Sequence, residues 1–515
     1  MLGGSSALNT FIFIPPSENV VDAWCALGNP SWDWASFSPS MANAFTMEKS
    51  PWGALGQGPL QISFAAEETQ WPATWRETIS NLGFPVSMNP LSGTTYGAHM
   101  DPESVHPTTK LRSYTGSAYL EPARSRGNLT IWTDTLVEKV IFDHDDTGTL
   151  VAAGVQYMQN DVRNTVKARK EVILSAGALH SPKILELSGI GNPEILQPLS
   201  IDVVVTNAHV GENLQNHLYL AVTSEAAKQE GFKTLDGLLQ GDPAAIAAAQ
   251  EALMEGRGPL TGVNTTGSAQ MTLPIFASEA GKHELDQLFQ RSGENPDLGK
   301  ATPAFAKAHE SFVRSVLSSS TEASALYTLF PGYMAFDENG DLLPHPGDGL
   351  YLTFAIYLAH PLSRGSVHIT SASPSCDLQI DPNYFSHPAD IEVLTRHVQA
   401  LENIKRTEPL AHHFIQGGKR IPPEGDLSDL DVAREYARKN CRAAFHFTGT
   451  CSQMPREMGG VVDEKCQVYG CKNLRVCDLS IVPIVPRCNT QATAYGVAEH
   501  AAKIVKADLS VKECL

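Results

Sequence analysis

His446, in the segment FHFTGTC, is the side chain of this sequence best suited to acid–base chemistry. An imidazole with its usual pKa near 6.5 is largely neutral at physiological pH and can accept a proton from a substrate hydroxyl. The competing interpretation is a core histidine whose ring is satisfied by the hydroxyls of Thr448 and Thr450. From residue types alone the core role is favoured, so the assignment of His446 as a general base depends on the rest of the sequence.

Asn489, in the segment RCNTQAT, is a second polar side chain that could take part in chemistry. Its amide can donate a hydrogen bond to a substrate oxygen and cannot itself become a competing base. Asparagine is also a favoured N-cap, so Asn489 could instead cap the helix predicted to follow it. The two roles are compatible, and both are retained as predictions.

The turn Gly3-Gly4-Ser5-Ser6 has no side chain that packs a core, yet it leads into an apolar run over residues 10–14 that is predicted as a strand. Glycine pairs occur where another group must approach the backbone closely, and small hydroxyl residues occur where that group is polar. The turn is therefore predicted to bind a ligand.

Two strand–turn–helix units position the candidate residues. In the first, residues 172–174 form a buried strand, residues 175–177 a small-residue turn, and Ser181-Pro182 opens a helix that ends at Gly189. The second runs from LRVCDLSIVPIV into NTQATAYGVAEHAAKIVKAD. Such units are typical of α/β folds, in which the turn faces a ligand. Between about 210 and 370 the pattern predicts a separate antiparallel sheet domain.

The composition limits the classes of partner. The chain has 515 residues, enough for two or more domains, and a formal net charge of −18. A strongly negative surface repels nucleic acid and anionic membranes, so a small neutral or cationic molecule is the favoured partner. No apolar run approaches the ~18 residues that a membrane span needs. The nine cysteines contain no CxxC pair, so no metal site is predicted. His412, His413 and His500 have no ligand-like spacing and are predicted as surface or helix-face residues.

Four stretches together resemble the glucose–methanol–choline (GMC) flavoprotein oxidoreductases. LGGSSALN is similar to the first signature of that family, and GALHSPKILELSGIG fits the second. PLSRGSVHITS resembles its substrate-domain stretch, and the segment that begins FHFTGTC and runs through RCNTQAT resembles its C-terminal catalytic block. The loop TTKLRSYTGSAYLEPARSRGNLT is most similar to fungal members that act on secondary metabolites.

The resemblance implies an α/β fold with FAD as cofactor. It implies oxidation of a CH–OH group in a small, polyketide-derived alcohol, with hydride passing to the flavin. His446 would be the base and Asn489 the partner of the substrate oxygen, although Phe447 stands where the family usually has proline. The positions that would contact FAD are Gly3, Gly4, Ser5, Ser6, Asn9, Thr10, Phe11, Ile12, Val137, Asp478, Leu479, Thr490 and Gln491.

The resemblance also divides the chain into regions. Residues 1–30 and 95–210 are predicted as parts of the FAD-binding domain, and 31–94 as a lid or loop region. Residues 211–440 are predicted as mainly the substrate-binding domain, and 441–515 as the catalytic block that completes the FAD domain. No cellular compartment is predicted.

One element of the family pattern is absent from the sequence. No GxGxxG segment occurs, so the first βαβ unit of the FAD-binding domain is expected to be missing. A truncated, inactive homologue that binds no flavin therefore stays open beside alcohol oxidation. The resemblance leaves a second alternative open, a non-redox cyclase or dehydratase, because this scaffold can also host ring-closing dehydration.

Overall fold

The computed structural model describes residues 1–513 except 66–68, 87–88, 263–266, 278, 293–298, 338, 348 and 424. Its α-helices are Glu18–Ala26, Trp34–Ala42, Trp71–Asn81, Glu121–Ala123, Gly177–Leu187, Pro193–Leu196, Asp236–Leu239, Pro243–Met254, Pro274–Ala277, Glu279–Ser292, Pro303–Ser318, Pro388–Lys405, Leu430–Asn440 and Gln491–Glu513. Its strands are Phe45–Met47, Leu55–Gly56, Leu60–Gln61, Ser63–Phe64, Gly97–His99, Pro102–Glu103, Thr135–His144, Leu150–Gln159, Val162–Lys167, Val172–Leu174, Ile190–Gly191, Val205–Thr206, Leu218–Ala226, Ser268–Met271, Ala325–Phe330, Leu350–Leu358, Ser366–Ile369, Leu378–Asp381, Arg420–Ile421, Arg442–Ala443 and Leu474–Val476.

The α/β part contains a parallel strand pair. Val172–Leu174 pairs in parallel with Leu474–Val476. Because the carboxyl ends of parallel strands meet at the same edge, the turns that follow both strands lie together. The helix predicted to open at Ser181-Pro182 begins four residues earlier, at Gly177, because the Gly177 N–H is held by the carboxylate of Asp478 at 2.9 Å.

The predicted antiparallel domain is a seven-stranded sheet. Its central strands, Leu218–Ala226, Leu350–Leu358 and Ala325–Phe330, pair antiparallel along their lengths. The two edges take strands from outside residues 211–440, namely Gly97–His99 on one side and Arg442–Ala443 on the other. The substrate-domain sheet is thus joined by backbone hydrogen bonds to both flanking regions of the chain.

Alternation along the strands separates the two faces of this sheet. Val222, Phe354 and Leu329 lie side by side in register and are fully buried on one face. Tyr219 and Tyr357 pair on the opposite face, where their rings stack with centroids 5.2 Å apart. This second face carries aromatic and hydroxyl side chains and is the one that borders the candidate site.

The prediction of a strand over residues 10–14 is wrong. Phe11 adopts a left-handed conformation with φ +65°, which interrupts regular pairing. The segment is nevertheless held by backbone hydrogen bonds, from Phe13 N–H to Pro102 O and from Ser104 N–H to Phe11 O, each 2.8 Å long. It is therefore an extended segment with a single bridge at Ile12. Among the helices that the structure describes, none is long and apolar enough to cross a membrane.

Candidate active site

The two side chains predicted to be catalytic lie next to each other. Nε2 of His446 is 3.4 Å from the amide nitrogen of Asn489, although the residues are 43 positions apart. On the other side of the ring, Nδ1 of His446 lies 2.7 Å from Nδ1 of His217. The result is a short chain of polar groups from His217 through His446 to Asn489.

The segment just before the strand Leu218–Ala226 positions His446. The backbone groups of Gln215 and Thr448 exchange two hydrogen bonds of 3.0 Å. The side-chain oxygen of Asn216 accepts the backbone N–H of His446 at 2.8 Å. The main chain of the His446 segment is therefore held on both sides of the imidazole.

The same segment also positions the loop that leads to Asn489. The Gln215 side chain donates to the carbonyl oxygen of Pro483 and accepts the N–H of Val485, both at 2.8 Å. Cys488, directly before Asn489, is buried and its thiol donates to the carbonyl oxygen of Pro15 at 3.1 Å. One stretch of chain thus sets the relative position of the two candidate catalytic residues.

Burial keeps the histidine pair neutral. Desolvation holds the pKa of the His446 imidazole well below 6.5, and the neighbouring His217 lowers it further. Desolvation also lowers the pKa of His217 to about 4, against the opposing effect of its hydrogen bonds to the carbonyl oxygens of Pro486 and Ala359. At neutral pH both rings are therefore uncharged, and His446 can accept a proton.

The competing roles suggested by the sequence are not those that the structure shows. Thr450 donates its hydroxyl to the carbonyl oxygen of Ala178 at 2.6 Å, and the Thr448 hydroxyl has no partner, so neither satisfies His446. The side-chain oxygen of Asn489 is buried without a hydrogen-bond partner, so Asn489 does not cap the helix Gln491–Glu513. The side chains of His446 and Asn489 instead face each other.

The turn predicted to bind FAD is open on one side. Gly3 has φ +94°, and a Cβ there would lie 2.7 Å from the ring of Tyr114. A Cβ on Gly4 would meet nothing within 4 Å, and Ser5 is exposed. Ser6 is buried and donates its hydroxyl to the carbonyl oxygen of Gly3 at 2.5 Å. The turn is held from inside while its outer surface stays accessible.

Arg112 lies against this turn and was not found from the sequence. Its guanidinium donates to the side-chain oxygen of Asn9 at 2.8 Å and to the carbonyl oxygen of Ser6 at 3.3 Å. It also stacks 3.6 Å above the ring of Phe11, where burial lowers its pKa. Thr10, in the same segment, is exposed. A lone arginine in TTKLRSYTG carries no spacing signal, so only the fold reveals that a positive charge lies beside the Gly-Ser turn.

Gln491 connects the segment around Phe11 and Ile12 to the C-terminal segment that contains Asn489. With both polar atoms of its amide paired, Nε2 donates to the carbonyl oxygens of Phe11 and Ile12 at 3.0 and 3.1 Å. Oε1 then accepts the hydroxyl of Ser104 at 2.9 Å. Thr490, one residue earlier, is buried at the start of the same helix. These contacts bring the predicted flavin segment at 9–12 next to the residues that follow Asn489.

Three other residues predicted to contact the cofactor are Asp478, Leu479 and Val137. Asp478 uses its carboxylate inside the protein, where it accepts from the Gly177 N–H and, at 2.5 Å, from the hydroxyl of Ser181. Leu479 is half-buried, and its carbonyl oxygen accepts the N–H of Gly449 at 3.2 Å. Val137 is half-buried rather than buried, in a separate three-stranded sheet.

The residues present fit a flavin cofactor. The open turn at Gly4, the guanidinium of Arg112 and the unpartnered amide oxygen of Asn489 provide backbone access, a positive charge and a free polar group. Within the described part of the chain, no cluster of three or more His, Cys, Asp or Glu side chains is arranged to hold a metal ion.

Comparison with known proteins gives matches over most of the chain. The family models of the GMC oxidoreductases match residues 1–219 and 361–498. A dehydrogenase of Monascus purpureus is 31% identical over 99% of this chain and 83% of its own length. A patulin synthase of Aspergillus clavatus is 27% identical over 97% and 77%.

Solved structures show the same architecture. An FAD-dependent oxidoreductase of Chaetomium thermophilum superposes with a TM-score of 0.85 at 26% identity, over 99% of this chain and 86% of the other. A fungal aryl-alcohol oxidase superposes with a TM-score of 0.84 at 24% identity over the same shares, which is evidence for the fold.

Proposed function

Because the chain belongs to the GMC oxidoreductase family, we propose that it oxidises a CH–OH group of a small, polyketide-derived metabolite with His446 as the general base. The protein is an FAD-dependent oxidoreductase. When bound, FAD supplies the acceptor for the hydride that leaves the substrate carbon.

The observation that carries this proposal is the 3.4 Å separation of His446 Nε2 and the Asn489 amide nitrogen. At this separation, one substrate hydroxyl can contact both groups. The hydroxyl proton passes to Nε2 of His446, while the Asn489 amide donates a hydrogen bond to the same oxygen. As the C–H electron pair leaves with the hydride, the C–O bond becomes a carbonyl, and His446 keeps the proton.

An aromatic surface beside His446 supports a flat substrate. The ring of Tyr357 stacks at 6.4 Å from the His446 ring, and Tyr219 continues the stack. Phe445 and Phe447 flank His446 in the sequence, and the Phe445 ring is exposed. Aromatic rings of a ligand gain about 0.5–1.5 kcal/mol from such pairs beyond the area that they bury. The patulin synthase among the relatives agrees with a secondary-metabolite substrate.

The test is anaerobic mixing of the flavin-loaded protein with 4-methoxybenzyl alcohol, a simple aryl alcohol. We expect the oxidised flavin absorbance to disappear in a single turnover, with one equivalent of aldehyde formed per flavin reduced. Consumption of an alcohol without flavin reduction would instead indicate a non-redox cyclase or dehydratase. Absence of any conversion over a panel of aryl and polyketide-type alcohols would contradict the proposed substrate class.

A further inference from the structure

His217, directly before the strand Leu218–Ala226, has an environment that determines where its proton is. Its Nε2 lies 3.1 Å from the carbonyl oxygen of Ala359 and 2.5 Å from that of Pro486. A carbonyl oxygen only accepts hydrogen bonds, so Nε2 must carry a hydrogen. The side chain is 1% exposed, and burial holds the pKa of His217 at about 4, so the ring is neutral at pH 7. A neutral imidazole has one N–H, and Nδ1 of His217 therefore has a lone pair.

This assignment extends to His446. The two Nδ1 atoms are 2.7 Å apart, a distance that requires one hydrogen between them. His217 cannot supply it, so the hydrogen is on Nδ1 of His446. Neutral His446 then carries its lone pair on Nε2, the atom that faces Asn489 at 3.4 Å.

We propose that His217 is a positioning residue that fixes His446 in the Nδ1–H tautomer and keeps its Nε2 lone pair available to the substrate. The proposal rests on the proposed function, because it concerns the same base. In the opposite tautomer, the two Nδ1 lone pairs would face each other at 2.7 Å, and the Nε2–H of His446 would face the Asn489 amide donor. The contact with His217 therefore excludes that state.

Two substitutions of His217 separate this role from a purely structural one. In His217→Asn, the side-chain oxygen can occupy the place of Nδ1 and accept from His446, but the bonds to the carbonyl oxygens of Ala359 and Pro486 are lost. In His217→Gln, the amide nitrogen can reach those carbonyl oxygens, but no acceptor remains at the Nδ1 position. We expect His217→Asn to reduce its flavin at least about tenfold faster than His217→Gln under anaerobic single-turnover conditions.

A faster His217→Gln variant would show that His217 acts by holding the carbonyl groups. Equal rates would show that an acceptor at the Nδ1 position does not matter. Either outcome would overturn the proposal. His360→Gln is the matched control for the loss of a contact between a buried histidine and a carbonyl oxygen. His360 is buried and binds the carbonyl oxygen of Val485 at 2.9 Å, in the loop that also contains Pro486. We expect this control to keep the tautomer of His446.

A direct readout is independent of turnover. In flavin-loaded protein labelled with [15N]histidine, long-range proton–nitrogen spectra distinguish protonated from unprotonated ring nitrogens, with assignment by His446→Ala and His217→Asn. We expect protonated Nδ1 with bare Nε2 for His446, and the reverse for His217. A protonated Nε2 on His446 would overturn the tautomer proposal. If the tautomers are as expected but no alcohol reduces the flavin, the proposed function fails and the positioning role of His217 is retained.

Discussion

Two histidine clusters in this protein differ in charge, because the histidines of one are neutral and the histidine of the other is protonated. In the candidate catalytic cluster, His217 faces two carbonyl oxygens and a second imidazole, and burial lowers its pKa to about 4. In the second cluster, His368 lies between two carboxylates, 2.7 Å from Glu186 and 3.2 Å from Glu212. Burial alone would lower the pKa of His368, but hydrogen bonds to Glu186 and Glu212 outweigh it and raise the pKa to about 9.

The difference shows that burial does not by itself decide the charge of a histidine. Carbonyl oxygens orient the ring but do not compensate a full positive charge, whereas carboxylates do. The positions of the two histidine clusters in the fold agree with this difference in charge. His368 is in the strand Ser366–Ile369 and Glu186 in the helix Gly177–Leu187, so the charged cluster joins two elements. The neutral cluster instead leaves a proton acceptor free for chemistry.

The largest expected effect concerns the catalytic cluster. His446→Ala removes the proton acceptor, so we expect the rate of flavin reduction by an alcohol to fall by ~10²–10⁴-fold. Flavin absorbance and the thermal midpoint should change little, because the main chain there is held by Gln215 and Asn216. Stopped-flow absorbance with parent and variant measures both. A variant as fast as the parent would show that His446 is not the base.

The charged cluster should respond in stability rather than in rate. His368→Leu leaves Glu186, which is fully buried, without its positive partner. Removal of one partner of a buried ion pair costs about 3–5 kcal/mol of unfolding free energy, which denaturant titration can measure.

The matched control for this prediction is His412→Leu. His412 lies 2.8 Å from Glu408, but both side chains are more than half exposed. Surface pairs of this kind contribute about 0–1 kcal/mol, so the control should unfold close to the parent. Equal unfolding midpoints for His368→Leu and the parent would remove the contrast between the two clusters.

Asn489 should have a smaller effect than His446. Asn489→Ala removes one hydrogen bond to the reacting oxygen, which we expect to raise the barrier by about 1–3 kcal/mol. Asn489→His keeps a ring donor at this position, so most of the activity should return. The ratio of single-turnover rates for the two variants measures this. A histidine variant as slow as the alanine variant would argue against hydrogen bonding as the role of Asn489.

The smallest expected effect is that of mild acid on the rate. The pKa of His446 is depressed, so the base is protonated, and activity lost, only below the usual pKa of 6.5. Between pH 8 and 6.5 we therefore expect the flavin reduction rate to change by less than about twofold, the loss that a base with pKa 6.5 would show at its midpoint. A rate profile over pH 5–9 gives the midpoint directly. A midpoint at or above 6.5 would mean that His446 is not desolvated in the complex.

Several features of this protein were determined by the sequence alone. The strand–turn–helix units around 172–187 and 474–513 and the antiparallel sheet between them follow from local apolar patterns and small-residue turns. His446 and Asn489 were predicted as catalytic residues because their segments resemble the C-terminal catalytic block of the GMC family. Such signals are local, so they need no knowledge of the fold.

Tertiary structure decided the rest. His413, predicted as a surface or helix-face residue, lies in the helical turn Leu410–His413 but is 1% exposed, because the rings of Trp71 and Phe232, distant in sequence, cover it. His217 is 229 positions from His446, and no spacing rule joins them. The charge and tautomer of a histidine depend on which groups lie within about 3 Å of each ring nitrogen. Since those groups come from distant parts of the chain, only the folded structure determines whether a given histidine is a base, a cation or a core residue.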